Sequence, residues 1–246
     1  MFDLNYEVLL ADSEESKNFH FNIRYQVYCH EKGFESASQF HDTLEVDGFD
    51  EHSVHFIVRC KKTGDWVAAM RLVSGGEESL PFSGKVKLDS DCDFFGEEVC
   101  EISRMCVLRP FRGAPREDKL DAVLGERQSK RETEKTLDAN KELIKNECAI
   151  MLGLIRAVYG YGLYNGVNHF IALMSAPLAR ILKRNGFSFD VVGDKCEFNG
   201  IRKPYYFNTL SASEDFTKMP SECGAFFAVD TSYKLYSDWR RVAAMA

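Results

Sequence analysis

Three polar side chains, Glu101, Ser103 and Arg104, interrupt the segment EISRMCVL at residues 101–108. The rest of that segment (Ile102, Met105, Cys106, Val107 and Leu108) has the composition of a buried strand, and Pro110 stops it. Buried charge is costly unless it is paired. Further charges sit in similarly apolar company: Arg24 beside Ile23 and Val27, Arg71 inside MRLV, and Glu45, Asp47 and Asp50 in EVDGFD. One reading is structural ion pairs, such as Arg104 with Glu45 or Arg71 with Asp47. The other is a polar substrate site, in which guanidiniums grip a carboxylate through paired donors and an acid accepts a proton during reaction.

Several elements must bring these residues together. LNYEVLLA (4–11) has the pattern of a first strand. Ser13 can cap a helix with Glu14 and Glu15 in its first turn; Phe19, Ile23, Val27 and Tyr28 follow at helical spacing, and Gly33 marks its end. Residues 35–52 are acidic and irregular. VHFIVRC (54–60) and WVAAMRLV (66–73) flank Lys61-Lys62-Thr63-Gly64-Asp65 as a hairpin. Residues 74–98 read as loop, and 101–108 as the next strand. Residues 113–142 carry dense mixed charge and few large apolar side chains, the composition of a mobile insertion that is helical in parts. CAIMLGLIRAVYGYGLY (148–164) predicts an apolar helix, HFIALM (169–174) a strand, and PLARILKRNGF (177–187) a helix that opens at Pro and closes at Gly. FDVVG (189–193) and YYFNTL (205–210) predict strands, and YKLYSDWRRVA (233–243) a closing helix. Together they predict one mixed α/β domain with an antiparallel run in its first half.

Composition narrows the function. The chain has 246 residues, enough for one sizeable core, and a net charge of −7, which argues against non-specific nucleic-acid binding. No apolar run reaches membrane-spanning length, and no signal peptide is read at the start. The eight cysteines are scattered without a C-x-x-C pair, which fits reduced thiols in a cytoplasm and argues against zinc. His52 and His55 would point to opposite faces of a strand, so no metal site is expected there. The abundant phenylalanines, 19 in all, fit a core or the lining of an apolar pocket.

RYQVY (24–28), Gly33-Phe34, EVDGFD (45–50), HFIVR with GDWVAAMRL, and EISRMCV occur in an order that resembles the autoinducer (acyl-homoserine-lactone) synthase branch of the GNAT acyltransferases. VYCHEKGFE, EVDGFDEHSVHF and residues 179–204 are more similar to acyltransferases associated with PEP-CTERM/exosortase systems and to N-acyl amino acid synthases. The resemblance covers roughly residues 20–110 and 145–207. It implies a GNAT fold: a mixed, mostly antiparallel sheet flanked by helices, whose central strands, here 101–108 and 169–174, splay apart to admit a pantetheine arm. The arm would pair with the open strand edge.

The resemblance also implies roles. Glu101 would accept the proton of the attacking amine, with Ser103 and Arg104 fixing the hydrogen bonds around it. Arg24, Arg71 and Arg104 would hold the acceptor's carboxylate, and Asp47 and Asp50 would steady them or bind its amine. Backbone near Met105–Val107 would stabilise the tetrahedral oxyanion. The donor phosphate would lie at the turn carrying Arg109, Arg112, Gly113 and Arg116. That turn has the family's Arg and one Gly but lacks the second Gly, and Pro115 removes an N–H donor. An acyl carrier protein therefore fits better than acyl-coenzyme A as donor. No tightly bound cofactor is expected beyond that co-substrate. Phe56, Trp66, Met70, Met105, Met151, Leu154 and Ile155 are candidates for an acyl channel or simply for core. Cys106 as a covalent nucleophile is the rival to direct transfer, the rule in this superfamily, but nothing basic sits at an obvious spacing to activate it. The reaction expected is transfer of a medium or long fatty acyl chain to the amine of an amino acid or similar small molecule. Two alternatives stay open: an acyl-homoserine-lactone synthase using S-adenosylmethionine, and a non-catalytic acyl- or carrier-protein-binding module.

Overall fold

The computed structural model describes residues 2–89, 98–113, 130–218 and 221–228. A single helical turn, α1 (Phe2–Asn5), precedes β1 (Tyr6–Leu10), so the first strand is shorter than LNYEVLLA suggests. Helix α2 (Glu14–Tyr25) starts at Ser13, whose hydroxyl accepts from the Ser16 N–H in a reciprocal capping box. Ser16, His20, Ile23, Arg24 and Val27 fall on one buried stripe at helical spacing. That spacing alone carries Arg24 into the interior. The helix then widens into a π-turn over Gln26–Glu31 and stops before Gly33, whose φ of +61° suits glycine.

The hairpin is as expected, with β2 (Ser53–Cys60) and β3 (Trp66–Gly75). Strand β4 (Val99–Val107) follows. Helix α3 (Lys130–Asn165) is continuous from within the charged segment expected as an insertion, so its 130–142 portion is the start of the apolar helix rather than a separate piece. Residues 114–129, and with them Arg116, lie outside the described residues. Then come β5 (His169–Met174), α4 (Ala176–Arg184), β6 (Asp190–Val191), β7 (Cys196–Glu197) and β8 (Ile201–Asn208). Strand β8 begins earlier than expected and runs through Pro204, whose carbonyl still accepts from the Val192 N–H. It ends because the Asn208 side chain caps the N–H groups of Leu210 and Ser211, opening α5 (Thr209–Lys218). Helix α6 (Ser221–Phe227) is the last described element; the closing helix expected at 233–243 lies outside the described residues.

Among the described residues the sheet has eight strands in the order β1-β2-β3-β4-β5-β8-β6, with β7 on β8. Every pairing is antiparallel except β4 with β5. The main core lies between the sheet and α3, around Phe56, Met70, Leu154 and Phe170, all fully buried. No helix among the described residues is long and apolar enough to cross a membrane.

Two irregularities in β4 shape the centre of the sheet. Opposite β3, Ala69 pairs with Cys106 but Arg71 pairs with Ser103, so Arg104 and Met105 together face Met70. This is a β-bulge, and Arg104 sits in it at a φ of +53°, a conformation that disfavours side chains with a Cβ. Opposite β5, only Val99–Ile102 are paired, with His169–Ala172. Beyond Ile102 the two parallel strands part, as the splayed-strand expectation required.

Candidate active site

A cavity of about 620 Å³ fills the gap where β4 and β5 part. It runs through the sheet. On one side Tyr28, Phe34, Asp47 and Arg71 line it; on the other, Met151, Ile155 and Leu178 do. Glu101, Ser103, Arg104 and Met105 lie along its length on β4. The edge of Ser103–Val107 that faces β5 has no strand partner among the described residues.

Glu101 is almost fully buried near the start of this cavity. Its Oε2 accepts a 2.6 Å hydrogen bond from the Phe82 N–H. Burial raises its pKa from 4.5 to about 7, although the Phe82 N–H and the positive charges of Lys85, Arg71 and Arg104 pull the other way. A carboxyl that titrates near neutrality can exchange a proton with a reacting amine. Ser103, two residues along, receives a 3.2 Å bond from Arg71 Nε.

The charged residues form a single network that contains both ion pairs anticipated from sequence. Arg24 Nε is bound to Glu45, and its Nη1 lies 2.6 Å from Asp50 Oδ1. Arg71 Nη1 reaches Asp47 and, at 2.8 Å, Asp50. Arg104 Nη2 lies 3.0 Å from Glu45, 3.3 Å from Asp47 and 3.3 Å from Glu35. Burial works against ionisation of Asp50, but Arg24 and Arg71 hold its carboxyl well below the usual range. Arg24 has no exposed surface and does not line the cavity, whereas Arg71, Arg104 and Asp47 do. The network therefore anchors the bulge: Arg104 is held in its left-handed conformation by three carboxylates and by the Tyr28 ring, 5.1 Å from its guanidinium carbon.

The turn after β4 is closed by carboxylates of the chain itself. The Arg109 N–H donates to Glu31 at 2.9 Å, Arg112 pairs with Glu31 at 2.9 Å and donates to the Val107 carbonyl at 3.2 Å, and the Gly113 N–H donates to Glu147 at 3.1 Å. A Cβ at Gly113 would lie 2.3 Å from Ile144 of α3, so only glycine lets the turn approach that helix. Arg109 is exposed, and Arg112 lines the cavity.

Of the anticipated apolar lining, Met105, Met151 and Ile155 border the cavity, while Phe56, Met70 and Leu154 are fully buried core. Cys106 borders it too, but burial pushes its thiol up to about 12, which leaves it protonated at neutral pH. Sequence reasoning did not single out Glu31, Glu35, Lys85, Glu147 or Arg202 as site residues, and it placed Tyr28 in the helix core. Tyr28 had the spacing of a core residue; Glu31 ends the first helix, Arg202 lies near the start of β8, and the others lie in loops or on a charged helix, where composition carries no site signal.

Residues 23–120 match the family described as Acetyltransferase (GNAT) domain. A comparison with curated protein sequences gave no match. Among solved structures, the AHL synthase LasI is 13% identical with a TM-score of 0.53 over 83% of this chain and 89% of that one. TofI, solved with an inhibitor and MTA, is 12% identical with a TM-score of 0.54 over 92% and 98%. BjaI, a CoA-dependent acyl-homoserine lactone synthase solved with SAM and isopentyl-CoA, is 18% identical with a TM-score of 0.54 over 91% and 98%. The match over residues 23–120, the split sheet and the bulged fourth strand together give this chain the fold of the GNAT acyltransferases.

Proposed function

We propose that the protein is an N-acyltransferase that moves a medium- or long-chain fatty acyl group from a pantetheine thioester to the amine of an amino acid or a similar small molecule. The observation that carries this reading is the buried Glu101 beside a cavity that passes between the splayed strands. A thioester threaded through the split would pair with the open edge of Ser103–Val107. The acceptor would enter from the side of Tyr28 and Asp47, and the acyl chain would extend toward Met151 and Ile155.

In that arrangement the amine nitrogen attacks the thioester carbonyl carbon and its proton passes to Glu101, directly or through a water. The carbonyl oxygen gains negative charge and is met by free backbone N–H groups of β4. Collapse re-forms the carbonyl, breaks the C–S bond and releases the thiolate, which is a stable leaving group. The proton held by Glu101 then returns to solvent or to the thiolate. Ser103 and Arg71 keep the neighbouring hydrogen bonds in place, and the Arg24 network holds the bulge that opens the strand.

A carrier protein is favoured as donor over free coenzyme A. The N–H groups of Arg109 and Gly113 and the guanidinium of Arg112 are engaged by Glu31 and Glu147, so the turn offers few donors to a pyrophosphate. An acyl-homoserine-lactone synthase is the second reading. Four carboxylates (Glu35, Glu45, Asp47, Asp50) against three guanidiniums give the acceptor side a negative excess that would suit a sulfonium. BjaI, solved with SAM and isopentyl-CoA, is one neighbour that fits this reading.

Mass spectrometry of organic extracts from bacteria expressing the chain, against an empty-vector control, tests both. New masses equal to a fatty acid plus an amino acid minus water support the first reading. Acyl-homoserine lactones would replace it with the second. If purified protein with acyl carrier protein and acyl-coenzyme A binds but never turns over, a binding module is left.

A further inference from the structure

The cations around the cavity differ in what they face. Arg24, Arg71 and Arg104 are turned onto Glu35, Glu45, Asp47 and Asp50, and Arg112 onto Glu31. Their charge is already neutralised, and an anion brought to the central cluster would meet its excess of carboxylates. Lys85 and Arg202, on the wall near Glu101, are different: neither forms an ion pair among the described residues. Arg202 donates instead to the carbonyls of Phe198 at 3.2 Å and Asn199 at 3.1 Å, which neutralises no charge.

This wall is built by tertiary contacts rather than by chance exposure. The loop carrying Lys85 is bridged to the β6–β7 connection through Leu88 and Gly193, and the Asp89 N–H donates to the Val192 carbonyl at 3.0 Å. A Cβ at Gly193 would lie 2.5 Å from the Lys87 carbonyl, so glycine permits the approach. The β7–β8 turn passes through left-handed Asn199 and Gly200, with φ of +51° and +93°. It presents the Phe198 ring 4.0 Å from the Lys85 ammonium. Partial burial lowers the Lys85 pKa, with Glu101 the strongest opposing charge, so an anion docking there would relieve an under-compensated cation.

We infer that Lys85 and Arg202, flanking Phe198, read the carboxylate of the acceptor, which makes the acceptor an α-amino acid or a close analogue that keeps its carboxylate free. This rests on the N-acyltransferase reading. An α-amino acid has its amine and carboxylate on one carbon. Glu101 and Lys85 line the same cavity, and of the three cations acting on Glu101 Lys85 acts most strongly, so an amine placed at Glu101 leaves its carboxylate on the side of Lys85. The central arginines then serve to shape β4, and the carboxylate is read by Lys85 and Arg202 on the same cavity's lining. An amine without a carboxylate would leave Lys85 uncompensated and bind more weakly.

Product analogues test this without turnover. Wild-type protein is titrated calorimetrically with N-lauroylglycine and with N-lauroylglycinamide. The free acid should bind at least about tenfold more tightly, the scale of a lost charge-assisted hydrogen bond. In Lys85→Met the preference should fall toward one with the amide's affinity held. Arg202→Lys, which keeps the charge, should retain part of the preference that Arg202→Met loses. Equal affinity for the two probes in the wild type, no binding of either, or a preference that survives both Met variants overturns the inference. If the preference is present and Lys85-dependent but no acyl transfer to any amino acid is detected, the enzymatic reading fails while the carboxylate wall stands.

Discussion

The carboxylate of Glu101 is buried beneath the loop that follows β3 and accepts a 2.6 Å hydrogen bond from the N–H of Phe82. Burial holds this acid's pKa at about 7, against the opposing pull of the Phe82 N–H. The hydrogen bond joins two segments separated by a stretch with no core-like pattern in sequence. The same loop delivers Lys85 to the cavity, so proton transfer and acceptor recognition share one structural support.

Glu101→Gln should lower kcat by about 10²–10⁴-fold, the usual worth of a positioned general base, while donor binding is nearly unchanged. The wild-type rate should rise with pH through an apparent pKa near 7, because the base acts only when deprotonated. The variant should lack that limb. Steady-state kinetics across pH, with donor affinity measured separately, check both points; unchanged turnover would remove Glu101 from the mechanism.

The same residue should cost stability at alkaline pH. Its folded pKa is raised from 4.5 to about 7, so the folded state holds the proton more tightly than the unfolded chain. Its contribution is fully present below pH 4.5 and is lost as pH rises through about 7, by on the order of 3 kcal/mol. Gln can still accept from Phe82 and carries no charge. Thermal melts should therefore show Glu101→Gln gaining on wild type between pH 5 and pH 8, and a constant difference would refute this account.

Arg104 occupies the β4 bulge at a φ of +53°. Arg104→Gly and Arg104→Ala lose the same ion pairs, yet the glycine variant should be more stable by about 1 kcal/mol because it alone adopts this backbone without strain. Urea unfolding of the pair measures the difference. Equal stabilities would mean that the bulge relaxes when its side chain is removed.

Arg24 is fully buried between Glu45 and Asp50. Arg24→Met leaves those buried acids one guanidinium short and should destabilise the fold by about 3–5 kcal/mol, well beyond the effect of an exposed pair. Denaturant unfolding at neutral pH reads this. A loss under about 1 kcal/mol would show that Arg71 and Arg104 can take over both carboxylates.

Met151 borders the cavity from α3. If the acyl chain extends there, Met151→Trp should shorten the preferred chain, with long-chain product falling at least about tenfold while short-chain product persists, since a filled pocket excludes bulk rather than chemistry. Product profiles by mass spectrometry decide it. A uniform loss across chain lengths would place the acyl chain elsewhere.

Local patterns in the sequence were enough to determine the scaffold and the identity of its interior charges. Helical spacing put Arg24 on the same stripe as Ile23 and Val27, and strand composition put Arg71, Glu101 and Arg104 inside the sheet. Having no water to meet, these charges had to find one another, and Arg104 with Glu45 and Arg71 with Asp47 are indeed paired. Local pattern could not show that 130–142 continues an apolar helix, because a helix that leaves the core has no reason to stay apolar. Three things depended on the tertiary structure. The Arg104 bulge exists only as a register shift between β3 and β4. The split beyond Ile102 exists only as lost pairing between strands separated by a long helix. The cavity walls join Glu101 to Phe82, Lys85 to Phe198 and Gly113 to Glu147, contacts between residues far apart in the chain, where sequence spacing carries no trace of distance.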